Sequence, residues 1–329
     1  MDGDIKDRAV ALVEALGLGR AAEVTAVVPL TGGVASDIAR VDVGGRSYAV
    51  KFALGRLRVA AEWLAPVHRS RAEYAWLEVA GQVAPEAVPV LHGYDAGLGG
   101  FAMEYLGAAR QWKAALLAGA AAGPVAAAVA DVLGRIHAAG AQPGFDRTLF
   151  GNATDFHALR VEPYLLYTAG RHPGVAGRLR ALADGLDRAA VTLVHGDVSP
   201  KNILVRDGGP VLLDAECATM GDPAFDVAFC LNHLVLKSVH LPGSREELRR
   251  AALGFWAAYA GHVDWEDAGG LEARVAGLLP ALMLARVDGK SPVEYLSSAG
   301  QAVVRAVALG LLEAPVAGLG DVMGRMERA

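Results

Sequence analysis

Only two cysteines occur in the 329 residues, Cys217 and Cys230, too few for a disulfide framework or a zinc site. A surplus of basic charge is missing too. The formal net charge is −5 with no polybasic block, which argues against a nucleic-acid or membrane-surface partner. Long apolar runs are scarce. The longest uncharged stretch, Ala114 to Ala130, is 17 residues long, rich in Ala and interrupted by Gly123-Pro124, marginal for a bilayer span. The opening residues, MDGDIKDRAV, contain acidic side chains and no apolar core of the signal-peptide kind. Repeats and low-complexity linkers are absent. What is present is 53% hydrophobic and 20% charged, the composition of a globular chain rather than a disordered one. A soluble, cytoplasmic protein of one or two domains is expected.

The chain is organised around TLVHGDVSPKNILVRDGGPVLLDAECATMGDPAFD, residues 192–226. Val191 to Val194, Ile203 to Val205 and Val211 to Leu213 are short apolar runs bounded by turn signals, and so read as strands. Arg206-Asp207-Gly208-Gly209-Pro210 joins the last two with hairpin chemistry. A hairpin centred on Gly208 sets Ile203 opposite Leu213, Val205 opposite Val211 and Asn202 opposite Asp214, with the last pair's α-carbons about 5 Å apart. An amide oxygen and a carboxylate then converge as a hard cation such as Mg²⁺ requires. Asp197 stands five residues before Asn202 in a loop that must turn back toward the same place. Three oxygen-bearing groups meeting in this way form a phosphoryl-transfer layout.

His195-Gly196-Asp197 followed by Asn202 resembles the catalytic loop of the aminoglycoside phosphotransferase and choline kinase-like small-molecule kinases, a branch of the protein-kinase-like superfamily. Protein kinases have the same Asp-to-Asn interval. The resemblance implies that Asp197 orients or deprotonates an acceptor hydroxyl and that Asn202 and Asp214 hold Mg²⁺. Asp214 stands for the Asp of Asp-Phe-Gly, with Ala215-Glu216 following instead. Gly221-Asp222-Pro223-Ala224-Phe225-Asp226 also resembles the family, in which the last Asp braces the catalytic loop through backbone amides.

Upstream, Ile5 to Leu18 has apolar positions at helical spacing and reads as an amphipathic helix. Three strand-like runs follow, Val24 to Leu30, Ser36 to Val43 and Arg46 to Phe52. Thr31-Gly32-Gly33-Val34-Ala35 joins the first pair. Such a turn lets backbone amides approach a phosphate closely; by resemblance Gly32, Gly33 and Ser36 belong to a nucleotide flap. Tyr48-Ala49-Val50-Lys51 looks like the Val-Ala-Ile-Lys strand of kinases, so Lys51 is the expected phosphate contact. Its expected partner is Glu73 rather than Glu62 or Glu78. Phe101 to Leu106 follows a strand-like run near Val88 to Tyr94 and resembles the hinge, whose Glu104, Tyr105 and Leu106 backbone would bind adenine.

The intervening ALGRLRVAAEWLAPVHRS, with Arg56, Arg58, Trp63, His68 and Arg69, resembles a segment of methylthioribose kinases; a solvated basic face is the alternative. Those kinases have Ser where this chain has Asn202. After the hinge the apolar spacing is helical, with breaks near Gly123-Pro124, Pro242-Gly243 and Gly289. Trp112 and His137 read as core groups rather than ligands. Arg286, just before Asp288-Gly289-Lys290, matches one of two substrate-contacting arginines in methylthioribose kinases, with Ala285 in the other's place; an ordinary basic helix C-terminus is the alternative.

The expected fold is α+β, a bilobal protein-kinase-like chain. Residues 1–104 form a nucleotide-binding lobe with a small antiparallel β-sheet, and residues 105–329 a mainly helical catalytic and substrate lobe. The expected activity is ATP- and Mg-dependent phosphotransfer to a small-molecule hydroxyl. Eleven residues between Asp214 and Asp226, without Ala-Pro-Glu, argue against a protein kinase. Retention of Lys51, Asp197, Asn202 and Asp214 argues against a pseudokinase scaffold.

Overall fold

The computed structural model describes residues 5–30, 36–54 and 69–329. Gly32, Gly33, Arg56, Arg58, Glu62, Trp63 and His68 lie outside them. After α1 (Ile5–Ala15), strands β1 (Val24–Pro29), β2 (Ser36–Val43) and β3 (Arg46–Ala53) lead to α2 (Arg69–Val83), β4 (Leu91–Asp95) and β5 (Gly100–Glu104). These strands form one antiparallel sheet in the order β1-β2-β3-β5-β4. Gly44 and Gly45 both have positive φ at the β2–β3 turn, the conformation a two-residue hairpin turn needs.

Alternation along β3 decides what each side of the sheet does. Tyr48, Val50 and Phe52 pack with Ala9, Leu12 and Val13 of α1 in a small core of their own. Ala49 instead joins Trp76 and Leu77 of α2 and the main core. Lys51 shares Ala49's side and is 3% exposed.

Beyond Glu104 the chain is mainly helical. Strand β6 (Arg110–Gln111) and α3 (Trp112–Leu117) precede α4 (Gly123–Ala141) and α5 (Ala153–Phe156). A π-helix follows at His157–Leu166, then α6 (Tyr167–Arg171), α7 (Ala176–Arg188) and β7 (Thr192–Val194). Strands β8 (Ile203–Arg206), β9 (Gly209–Leu212) and β10 (Thr219–Gly221) lead to α8 (Pro223–His240), α9 (Arg245–Ala260), α10 (Ala268–Asp288), α11 (Ser298–Glu313) and α12 (Leu319–Glu327). β6-β8-β9 and β7-β10 make two small sheets. Helix α10 is long and apolar enough to cross a membrane by composition alone, but two-thirds of its apolar window, 67%, is buried within the protein. The helical run after Phe225 has one break more than its spacing indicates, at residues 261–267, where Asp267 caps α10 by accepting from the Gly270 amide.

The β8–β9 register is shifted from the sequence expectation. Arg206 pairs with Gly209, Val205 with Pro210, Leu204 with Val211 and Ile203 with Leu212. The turn is the two-residue Asp207-Gly208, not a loop centred on Gly208, so each pairing moves by one. Leu213 therefore lies opposite Asn202, donating its amide to the Asn202 carbonyl at 2.9 Å. Asp214 stands beyond the ladder in the left-handed region, with φ 70°.

Candidate active site

The loop between β7 and β8 is shaped by the start of α8. Asp222 caps that helix, accepting from the Ala224 amide, and Asp226 in its first turn is fully buried. Asp226 Oδ2 accepts from the His195 amide at 2.6 Å and Oδ1 from the Gly196 amide at 2.8 Å. This is the brace its position in the motif implies. Behind it, His137 Nε2 lies 3.2 Å from Asp226 and His137 Nδ1 2.7 Å from the Tyr259 hydroxyl, tying the loop to α4 and α9. His137 is thus a core group, as expected, and so is Trp112, 1% exposed.

Gly196 has φ 79°, and a Cβ there would come within 2.8 Å of Cys217 Cβ. Only glycine fits this turn. His195 Nε2 donates to the Leu213 carbonyl at 3.1 Å, while Nδ1 accepts the Asp197 amide at 3.1 Å. Burial lowers its pKa, which agrees with a neutral ring in one tautomer.

Asp197 is 5% exposed and carries two cations on one oxygen. Arg160 Nη2 lies 3.0 Å and Lys201 Nζ 3.3 Å from Oδ2. Sequence reasoning missed both. Lys201 was within reach, being adjacent to Asn202 and four residues after Asp197. Arg160, on the π-helix 37 positions upstream, gave no local signal. Asn202 Nδ2 donates to the Asp197 carbonyl at 3.1 Å, so its amide oxygen points away from that bond.

Across the cleft, Lys51 Nζ lies 2.7 Å from Glu73 and 2.5 Å from Asp214. Glu73 also accepts from the Asp214 amide at 3.1 Å. Glu73 is thus the lysine's helix partner, while Glu78 is exposed. Burial opposes the Lys51 charge, yet Asp214, Glu73 and Glu216 hold its pKa above the ordinary value. Burial would lift the Asp214 carboxyl, but Lys51 and Lys201 hold it well below the usual range. Glu73, buried and facing Asp214 as well as Lys51, is pushed up to about 7. Arg69 is no part of a solvated basic face: it is fully buried, bonded to Glu216 at 2.7 Å and to the Leu54 carbonyl at 2.8 Å.

These groups border a cleft of about 380 Å³ between the sheet and the helical lobe. Leu30, Ile38 and Ala49 line it from above and Leu204 and Leu213 from below; Glu104, Tyr105 and Leu106 edge it, and Ser36, Lys51, Glu73, Asn202 and Asp214 lie at its polar end. The Glu104 carboxylate is engaged elsewhere, with Arg206 at 3.3 Å and the Val90 amide at 3.2 Å. Arg286 does not line this cleft. Its Nη1 closes the turn after α10 through Ser291, as in the helix-end alternative, and lies 3.5 Å from the Tyr164 hydroxyl.

The profile of the phosphotransferase enzyme family (APH) matches residues 26–271. The chain belongs to this family. No curated protein matches the sequence of this phosphotransferase, but solved structures share its kinase-like fold. The amicoumacin kinase hAmiN, with AMP-PNP, Ca²⁺ and Ami bound, superposes with a TM-score of 0.58 at 15% identity, over 97% of this chain and 98% of its own. An ethanolamine kinase of Plasmodium vivax gives 0.57 at 12%, over 96% and 93%. The choline kinase LicA of Streptococcus pneumoniae gives 0.51 at 18%, over 94% and 99%.

Proposed function

We propose that this phosphotransferase moves the γ-phosphoryl group of ATP to a hydroxyl of a small molecule. The observation that carries the reading is the convergence of Lys51, Asn202 and Asp214 on one apolar-walled cleft, with Asp197 joined to its edge through Lys201. Adenine fits between Ala49 and Leu204 beside the backbone of Glu104 to Leu106. Lys51 neutralises phosphate charge and is held in place by Glu73. The nucleotide complexes of hAmiN and of LicA, the latter with AMP, support the assignment of the cleft.

The residues present fit Mg²⁺. An ionised carboxylate on Asp214 and a free amide oxygen on Asn202 are hard donors, and phosphate oxygens and water complete such a site. Mg²⁺ at these two residues would offset charge on the transferred group. Asp197, with Oδ2 held by Arg160 and Lys201, presents Oδ1 to the acceptor hydroxyl as orienting group or base. The segment from Asp214 to Asp226 is occupied by β10 and the entry to α8, leaving no peptide-docking platform, which favours a small acceptor over a protein.

The test is ATP consumption by the purified protein against a panel of hydroxyl compounds, with Asp197→Asn as control. Acceptor-dependent turnover lost in the variant supports the reading. Preferential phosphorylation of a protein, or no acceptor dependence at all, overturns it.

A further inference from the structure

Helix α8 leads away from the catalytic loop with one side chain per turn on a single face: Phe225, Phe229, His233 and Lys237. The aromatic members touch in sequence, Phe225 stacked on Phe229 at 5.3 Å and Phe229 edge-on to His233 at 5.4 Å, with Tyr164 5.5 Å from Phe229. The row ends on a buried lysine. Lys237 is 1% exposed, and among the described residues no carboxylate pairs with it. Its contacts are the His233 carbonyl at 3.5 Å and the face of Tyr295 at 5.1 Å.

The charges around this ammonium are mostly of its own sign. Lys113 and Arg286 both act against it, and the nearby Glu294 is already bonded to Lys113. His233, itself buried, faces Lys237, Arg286, Lys201 and Lys113. Burial, reinforced by Lys113 and Arg286, pushes Lys237 down to about 7. Two polar atoms of the same cluster, Tyr295 Oη and Arg286 Nε, are buried without a hydrogen-bond partner. Buried cations and unmet donors of this kind are costly unless an anion meets them.

The cluster adjoins the acceptor side of the catalytic aspartate. Arg286 Nη1 is 3.5 Å from the Tyr164 hydroxyl, and Tyr164 stands four residues after Arg160, which holds Asp197. Helix α3, carrying Lys113, packs on the Pro200–Asn202 turn of the catalytic loop.

We propose that the acceptor is a hydroxyl compound bearing an anionic group, a carboxylate or a phosphate, held by Lys237, Arg286 and Lys113. This rests on the small-molecule kinase reading and narrows it. An oxyanion offers charge-assisted bonds to the two lysines and the guanidinium; it also accepts from the unmet Arg286 Nε and Tyr295 hydroxyl. An ammonium-bearing acceptor in the same place would add one more cation to the cluster.

The test uses matched acceptors: hydroxy carboxylates beside their amides, sugar phosphates beside the free sugars, and amino alcohols. The anionic members are expected to show kcat/KM at least 100-fold above their neutral counterparts. Lys237→Met and Arg286→Gln should each raise KM for the anionic acceptor at least tenfold while leaving KM for ATP within twofold. The carboxylate and phosphate arms identify the anion. Equal or better turnover of neutral or cationic acceptors, or an unchanged KM in both variants, overturns the proposal. If no compound is phosphorylated, the kinase reading fails on its own. Calorimetry of the same anions against wild type and Lys237→Met then still decides: binding lost in the variant supports the site, and no binding to wild type overturns it.

Discussion

Arg160 holds Asp197 by one oxygen while spending its other donors on backbone: Nη2 reaches Asp197 Oδ2 at 3.0 Å, Nε the Gly196 carbonyl at 2.5 Å and Nη1 the Leu159 carbonyl at 2.7 Å. The guanidinium fixes both the carboxylate and the turn that carries it. A lysine keeps the charge but not the fork. Arg160→Lys is therefore expected to lower kcat about 10- to 100-fold, the scale on which small misplacements act, with KM for ATP nearly unchanged. Steady-state kinetics checks this; an unchanged kcat would mean that Lys201 alone positions Asp197.

Asp197 and Asp214 are expected to fail differently. Asp197→Asn should reduce turnover at least about 100-fold, the low end for general-base loss, and leave nucleotide affinity intact. Asp214→Ala should weaken Mg²⁺-dependent nucleotide binding, because it removes a charged metal donor. Chelator should abolish activity and Mg²⁺ restore it. Titration calorimetry separates the two, and equal Mg²⁺–nucleotide affinities in both variants would refute the division of roles.

Glu73 is 2% exposed and serves both Lys51 and the Asp214 amide. Removing one partner of a buried pair leaves the other uncompensated, at about 3–5 kcal/mol. Since Asp214 still faces Lys51, Glu73→Ala is expected near the low end, about 3 kcal/mol, with a raised KM for ATP. Denaturant unfolding gives the first quantity; a loss below about 1 kcal/mol would show that Asp214 alone satisfies the lysine.

Lys237 imposes a pH dependence on stability. Its folded pKa, down to about 7 through burial, lies below the unfolded lysine value of about 10.4. Between these values the unfolded chain binds the proton and the native chain does not, so this residue's contribution to stability rises with pH across that window. Below about pH 7 the penalty is complete, of order 4 kcal/mol by linkage. Lys237→Met should thus stabilise the ligand-free protein most at pH 6 to 7 and least near pH 10. Unfolding midpoints at three pH values measure it, and a pH-independent difference would contradict the assignment.

The legible parts of the chain are those set by short-range pattern. The Tyr48-Ala49-Val50-Lys51 motif singled out Lys51, which β3 does bury, and the Asp-Gly signal announced the β8–β9 hairpin. The hairpin's register escaped because Asp207-Gly208-Gly209 supports two turn lengths, and sequence alone does not choose between them. Arg160 escaped for a different reason. Its partner Asp197 is 37 positions along the chain, and no periodicity or motif around Arg160 points to it. The Lys237 cluster was equally hidden, since a lysine in an amphipathic helix ordinarily reads as solvent-facing.

The chain from Tyr259 through His137 to Asp226 anchors the amides of His195 and Gly196 in the interior of the helical lobe. Loops ordinarily open by small local fluctuations, and their amide protons are traded for solvent deuterium within moments. Here that opening would require parting α4, α8 and α9. The two amides at the head of the β7–β8 loop should therefore exchange as slowly as those of the surrounding helices, so the segment proposed to carry the chemistry would be among the last of this protein to come apart.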